Sequence, residues 1–179
     1  MTENKNKFNI KSLVTGLVSV IALTIIDQLL KLWSVSTLMN KEPIVIIDGV
    51  LELRYLENNG AAFGMLQNAT VFFLILTVVI LAVAVVVYIK TPYEKRFDFL
   101  RLTLILLTAG AIGNFIDRAV HTYVVDFIYF RLIDFPIFNF ADICVTFAEI
   151  FLVIAIIFVY KEDDYKKIFN SKEKSVENK

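Results

Sequence analysis

The 179-residue sequence predicts an all-α membrane protein of four transmembrane helices, with a small extracytoplasmic pair of strands and a short surface helix. Three observations predict it. Hydrophobic residues make up 58% of the chain, against roughly 45–50% in soluble domains. They gather into four runs, each close to the about 20 residues that a helix rising about 1.5 Å per residue needs to cross a hydrocarbon core of about 30 Å. The basic residues fall mainly on one side of those runs. The length fits a single integral membrane domain over residues 1–179.

The first span, about 13–35, follows Lys5, Lys7 and Lys11. Its apolar run is longer than that of a secretory leader and no small-x-small cleavage site follows, so it reads as a retained anchor. The second, about 70–90, has no charge within its apolar run. The third, about 98–118, carries Arg101 near its start and Asn114 near its end, and the fourth, about 141–160, carries one acid, Glu149. All four are read as helices, because backbone in lipid must satisfy its own hydrogen bonds. Residues 161–179 form a charged cytoplasmic tail, read as a solvated or disordered appendage.

Orientation follows from lysine and arginine. They precede the first span, fill the link from Lys90 through Lys95 and Arg96 to Arg101, and recur in the tail. The opposite side has Lys41, Arg54, Arg118 and Arg131. Both termini are therefore expected in the cytoplasm, with outer loops at about 38–69 and 119–140. Within the first outer loop, Ile44–Ile47 and residues 50–56 read as strands joined at Asp48-Gly49, a hairpin signal. Residues 61–68 read as a short helix lying on the membrane surface.

Several functions are poorly supplied. The 18 basic and 18 acidic residues cancel, leaving no basic surface for nucleic acid. Cys144 is the only cysteine and His121 the only histidine, so neither an internal disulfide nor a zinc site of several such ligands is supplied. No metal or other cofactor is expected.

The polar groups at the outer edge carry the functional argument. Asp27 and Lys31 stand four apart on one helix face in the favourable acid-first order, as a structural ion pair or as part of a site. Gly110, Asn114, Asp117 and Arg118 share a face of the third helix, and Gly110 with Gly113 would admit a close neighbour. Asp117 is read as fixing local geometry. Asp126 is an isolated acid between large apolar residues. Asp142 opens the fourth span, where the helix dipole favours an acid, so capping and catalysis both stay open for it.

A short outer loop makes the third and fourth helices antiparallel neighbours, which brings Asp126 and Asp142 to one membrane surface. Two adjacent carboxyls resist ionising together, so one keeps a proton. Such a pair supplies a base to activate water and an acid to polarise a peptide carbonyl. Other routes are thin. There is no HExxH motif, Cys144 has only His121 as an imidazole partner, and Ser34 or Ser36 beside Lys31 also fits an ordinary helix end.

Five motifs occur in order: Asp27-Gln28-x-x-Lys31, Asn58-Asn59-Gly60-Ala61-Ala62-Phe63, Gly113-Asn114-x-x-Asp117-Arg118, Val124-Val125-Asp126-Phe127 and Phe138-Asn139-x-Ala141-Asp142. Together they resemble the bacterial lipoprotein signal peptidase family, signal peptidase II. The resemblance implies an aspartic endopeptidase of the cytoplasmic (inner) membrane with its site near the outer face. It would remove signal peptides from diacylglyceryl-modified prolipoproteins, cutting before the lipidated cysteine. Asp126 and Asp142 match the family's catalytic dyad, and Asn58, Gly110, Asn114, Arg118, Asn139 and Ala141 match positions that line or support the site. The outer strands would form an extracytoplasmic β-cradle and residues 61–68 a cover over the substrate. Implied partners are the prolipoproteins, membrane phospholipid and globomycin-type inhibitors, with the chain acting as a monomer.

Two features depart from the family pattern. Ile143-Cys144 follows the second acid where small or hydroxyl side chains are usual, and Cys144 is read as a packed small hydrophobe. Glu149 is expected to be a buried neutral carboxyl bonded to Thr146 or a neighbouring helix, with a proton relay as the alternative role. A small proton-coupled transporter using the same carboxylates is the alternative function, although transport sites usually lie at the midplane. A non-catalytic scaffold, with the acids as caps and ion pairs, is the third.

Overall fold

A computed structural model describes residues 10–60 and 69–169. Four helices are long and apolar enough to cross a membrane. They are α1 (Ile10–Leu38), α2 (Thr70–Lys90), α3 (Asp98–His121) and α4 (Phe140–Ile154), the last continuing as a π-helical turn over Ala155–Val159. A fifth, α5 (Glu162–Phe169), follows. Three strands, β1 (Ile44–Ile47), β2 (Leu51–Asn58) and β3 (Val124–Phe130), form an antiparallel sheet in that order. The predicted surface helix at 61–68 lies outside the described residues.

Hydropathy sorts the helices by position. The most apolar window, in α2, has a mean hydropathy of 3.2 and turns almost all of its surface outward. The segment containing α3 falls to 1.8 and has the largest buried share, 39%. A helix enclosed by protein has less need of a lipid-facing surface, and α3 is the one against which α1, α2 and α4 all pack. Small residues set the closest of these contacts. Ala141, Cys144 and Ala148 form the buried stripe of α4, with Ala141 and Cys144 against Gly110 and Ala141 also against Gly113. A Cβ on Gly110 would lie 2.5 Å from the Ala141 carbonyl oxygen and 2.8 Å from Val145 Cγ2.

Within 119–140 the sheet adds a third strand to the two expected from the sequence. α3 ends at Thr122, whose left-handed backbone (φ 71°) turns the chain directly into β3. The run Val124-Val125-Asp126-Phe127 is buried throughout. Asp126 therefore stands on a strand, with Leu56 as its pair and Asn58 two residues further along β2, opposite Val124. Period-two alternation puts Asn58 and Asp126 on the same face as diagonal neighbours. The return segment then bonds back to β3 through Phe138 N to Ile128 O (3.0 Å) and Ile128 N to Phe138 O (2.8 Å). That bridge delivers Asn139, the first residue after it, beside Asp126. At the hairpin turn, Gly49 takes φ +68°, as a residue without Cβ can do freely.

The start of the tail is corrected: residues 162–169 are a docked helix, not a solvated appendage. Ile168 is buried with Phe97, Leu100, Leu104 and Tyr160. Arg96 donates to both oxygens of Asp164 (2.6 and 2.5 Å), and this pairing holds the Asp164 carboxyl down to about 2. Tyr160 stacks on Phe97 with ring centroids 5.6 Å apart.

Gly110→Ala is expected to force α3 and α4 apart and to lower the unfolding free energy by about 1–3 kcal/mol. Equilibrium unfolding in detergent measures it.

Candidate active site

The site grows from one buried cation. Lys31 Nζ lies 2.9 Å from Asp27 Oδ2 and 3.0 Å from Asp117 Oδ2, and donates to Asn114 Oδ1 at 3.0 Å. An ammonium has three hydrogens, and here it has three acceptors. Lys31, Asp27 and Asp117 are all 3% exposed or less. Gln28 closes the group by donating to Asp117 Oδ1 (3.0 Å) and to the Gly113 carbonyl (3.3 Å).

Each acceptor then fixes another element. Asp27 Oδ1 accepts the Ala141 backbone N–H at 2.9 Å, holding the start of α4. Asp117 Oδ2 accepts the Val125 N–H at 3.0 Å, holding β3 one residue before Asp126. Asn114 donates through Nδ2 to Asp142 Oδ1 at 2.8 Å. Gly113 makes room for this, since a Cβ there would sit 2.5 Å from Asp27 Oδ2. Gly110 and Ala141 serve the packing beneath the site, and Ala141 is buried at 1% exposure.

Asn139 ties the two remaining acids together. Its Nδ2 donates to Asp126 Oδ1 at 2.6 Å and to Asn114 Oδ1 at 3.1 Å, while its backbone N–H donates to Asp142 Oδ2 at 3.0 Å. The Asp142 N–H returns a bond to Asn139 Oδ1 at 3.0 Å, a reciprocal capping box at the start of α4. Asn139 is thus the helix cap. Asp142 completes the box while lining a cavity of about 670 Å³ that Asp126, Asn58, Asn114 and Arg118 also line. Asn58 Nδ2 donates to Asp126 Oδ2 at 2.8 Å.

Asp126 is 1% exposed. Burial, followed by the adjacent Asp142 carboxylate, pushes its acid up to about 7 against the opposing bonds from Asn58 and Asn139. The pair therefore has a reason to keep one proton near neutral pH. Arg118 donates to the Gly60 carbonyl at 3.1 Å and lies over the Phe73 ring at 4.6 Å, placing a cation in the cavity wall. Phe73 and Gln28 take parts that no role was assigned to in the sequence. Gln28 lay within a quoted motif, but nothing local marked Phe73.

The other candidates separate from this group. Lys31 is saturated by its three acceptors, Ser36 is exposed and bonded to the Trp33 carbonyl, and Ser34 Oγ is buried without a partner among the described residues. No Ser–Lys pair forms. Cys144 packs against Gly110, and His121 stacks on Tyr123. Glu149 corrects an expectation. It is exposed, with no bond to Thr146 or a neighbouring helix among the described residues, and it lines the same cavity. The reason is helix rotation: the small stripe Ala141, Cys144 and Ala148 claims the face toward α3 and turns Glu149 to the adjoining one. An acid at the centre of a spanning helix costs about 2.5–3.5 kcal/mol on insertion scales.

The chain matches the family model for signal peptidase (SPase) II over residues 19–158. It is 42% identical over 147 residues to the lipoprotein signal peptidase of Streptococcus pyogenes serotype M5, covering 82% of this chain and 93% of the relative. The enzyme of serotype M18 matches to the same extent. A bacterial membrane enzyme solved by the in meso method at 2.3 Å superposes with a TM-score of 0.73 at 36% identity, over 95% of this chain and 97% of the other. A related 1.9 Å structure gives the same score and identity over 86% and 97%.

Removing the central cation would strand two buried carboxylates. Lys31→Met is expected to cost about 3–5 kcal/mol of stability, read by equilibrium unfolding in detergent.

Proposed function

Because the chain belongs to the signal peptidase II family, we propose that it is an aspartic endopeptidase that removes signal peptides from diacylglyceryl-modified prolipoproteins. On this reading the cut falls just before the lipidated cysteine, and Asp126 and Asp142 form the catalytic dyad. The observation that carries it is the bridge by Asn139, whose side-chain amide reaches Asp126 and whose backbone N–H reaches Asp142. Two acids on different elements, one on β3 and one on α4, are thereby held at one cavity.

The dyad carries one proton between its members. The ionised carboxylate takes a proton from a water molecule as its oxygen attacks the scissile carbonyl carbon. The protonated carboxyl donates to the carbonyl oxygen, giving a neutral gem-diol. Collapse of that diol returns a proton through the dyad to the departing amine as the C–N bond breaks. Asn58, Asn114 and Asn139 hold the carboxyl planes, and Arg118 favours negative charge on the cavity wall. Asp27, Lys31 and Asp117 act as the structural ion network behind them, with Gly110 and Ala141 setting the approach of α4.

Placement in the membrane supports the same reading. Asp142 stands near the start of the 20-residue apolar segment Phe140–Val159. With both termini cytoplasmic, as the lysine and arginine bias requires, the dyad sits just inside the outer boundary, within reach of water. A diacylglyceryl anchor holds a substrate's cut point at a similar depth. The three strands form the cradle on that side, phospholipid surrounds the bundle, and a globomycin-type inhibitor would occupy the same cavity. One chain supplies every proposed group, so a monomer suffices. The proton-coupled transporter has no support from the comparisons, and the dyad stands at one end of α4 rather than at its middle.

Asp126→Asn and Asp142→Asn are each expected to reduce cleavage of a lipidated prolipoprotein by about 10²–10⁴-fold while the protein stays folded. The assay uses purified protein in lipid or detergent, and undiminished cleavage by either variant removes that residue from the dyad.

A further inference from the structure

Glu149 is an ionisable group in the middle of a spanning helix that the proposed chemistry does not use. It lines the cavity of the dyad, as do Asp142 and Thr146. Spacings of four and three put the three side chains along one face of α4. Glu149 lies about 10 Å along the axis from Asp142, at about 1.5 Å per residue. Neither Glu149 nor Thr146 has a side-chain hydrogen bond or ion pair among the described residues. Thr77, Thr91 and Thr103 each donate to the carbonyl four residues earlier, at 2.7–2.9 Å, a bond that Thr146 does not make. Two polar side chains on consecutive turns therefore keep their bonding capacity and direct it into a largely apolar cavity. What satisfies them is whatever fills the cavity.

Resting on the peptidase reading, we propose that Thr146 and Glu149 form a polar subsite that selects a hydroxyl-bearing residue of the signal peptide on the amino-terminal side of the cut. A peptide whose scissile bond sits at the dyad must continue into the bilayer along α4. About 10 Å corresponds to about three residues of extended chain or about seven of helix. The selected position therefore lies three to seven residues before the cut. A serine or threonine hydroxyl donates to a carboxyl and accepts from the Thr146 hydroxyl, whereas a leucine there leaves both protein groups unsatisfied. The consequence is discrimination between signal peptides that are otherwise equally apolar.

The test uses the full chain in lipid and a set of lipidated prolipoprotein peptides with leucine throughout the apolar region. Serine is placed singly at each of the third to seventh positions before the cut. The wild-type protein is expected to prefer serine at one position by about three- to tenfold in kcat/KM, the size of one net hydrogen bond. Glu149→Leu is expected to collapse that ratio toward one and Thr146→Val to reduce it, while Glu149→Gln retains most of it. Equal cleavage of all peptides by the wild type overturns the subsite and leaves the peptidase reading standing. A preference that survives unchanged in Glu149→Leu also overturns it. So does a uniform loss on every peptide, which would assign Glu149 to the lipid ester or to folding. Absence of cleavage of any peptide by the wild type overturns both readings.

Discussion

One buried ammonium organises the end of the helix bundle that carries the sheet. Lys31 sits between Asp27, Asp117 and Asn114, and through them it reaches the start of α4, the backbone of β3 and the Asp142 carboxyl. Burying a charge is costly unless every partner is in place, and here each hydrogen of the ammonium has an acceptor. The same arrangement is what makes it specific. A shift of α1, α3 or α4 by one residue would leave two carboxylates and a cation unmatched in a low-dielectric interior. The geometry of the candidate site inherits that precision from a network whose Lys31, Asp27 and Asp117 lie behind the cavity lining.

From this anchor the polarity of the site follows in layers. The asparagines come next: Asn114 and Asn139 each join two of the groups, and Asn58 reaches across from β2. Amides suit this place because they orient carboxylates without adding charge. The two acids come last, at the cavity wall, where burial and the neighbouring Asp142 carboxylate push the Asp126 acid up to about 7. Capping and a place on the cavity wall coexist in the Asp142 side chain, so the cap does not exclude the proposed catalytic role. Its Oδ2 completes the α4 capping box while the carboxyl remains on the cavity.

Much of this was legible in the sequence because it depended on sums or on local spacing. Four spans emerge from hydropathy added over about twenty residues, and the Asp27–Lys31 pair from a four-residue interval. The third strand was not assigned, although Val124-Val125-Asp126-Phe127-Ile128 has the β-branched and aromatic character of one. Its pairing with β2 joins distant parts of the chain, and only that pairing sets Asn58 diagonally beside Asp126. The bridging role of Asn139 was hidden for the same reason, since it depends on Phe138 bonding back to Ile128. The helix Glu162–Phe169 reads as solvated by composition, and its docking depends on Arg96, far earlier in the chain. Glu149 was misplaced because a lone acid's burial depends on helix rotation, which the packing of Ala141, Cys144 and Ala148 decides.

The central claim is that two carboxyls share one proton and hydrolyse the peptide bond through water. The pH dependence of kcat/KM on a lipidated prolipoprotein tests it most directly. Below the raised acid near pH 7, Asp126 and Asp142 hold a proton between them and can polarise a carbonyl. Above it both ionise, and the donor is lost. The rate is predicted to fall as pH rises through about 7, and Asn58→Ala, which removes a bond favouring the ionised form, should move that fall to higher pH. A rate that instead climbs through pH 7 to an alkaline plateau, as for a nucleophile activated by losing its own proton, would contradict the account.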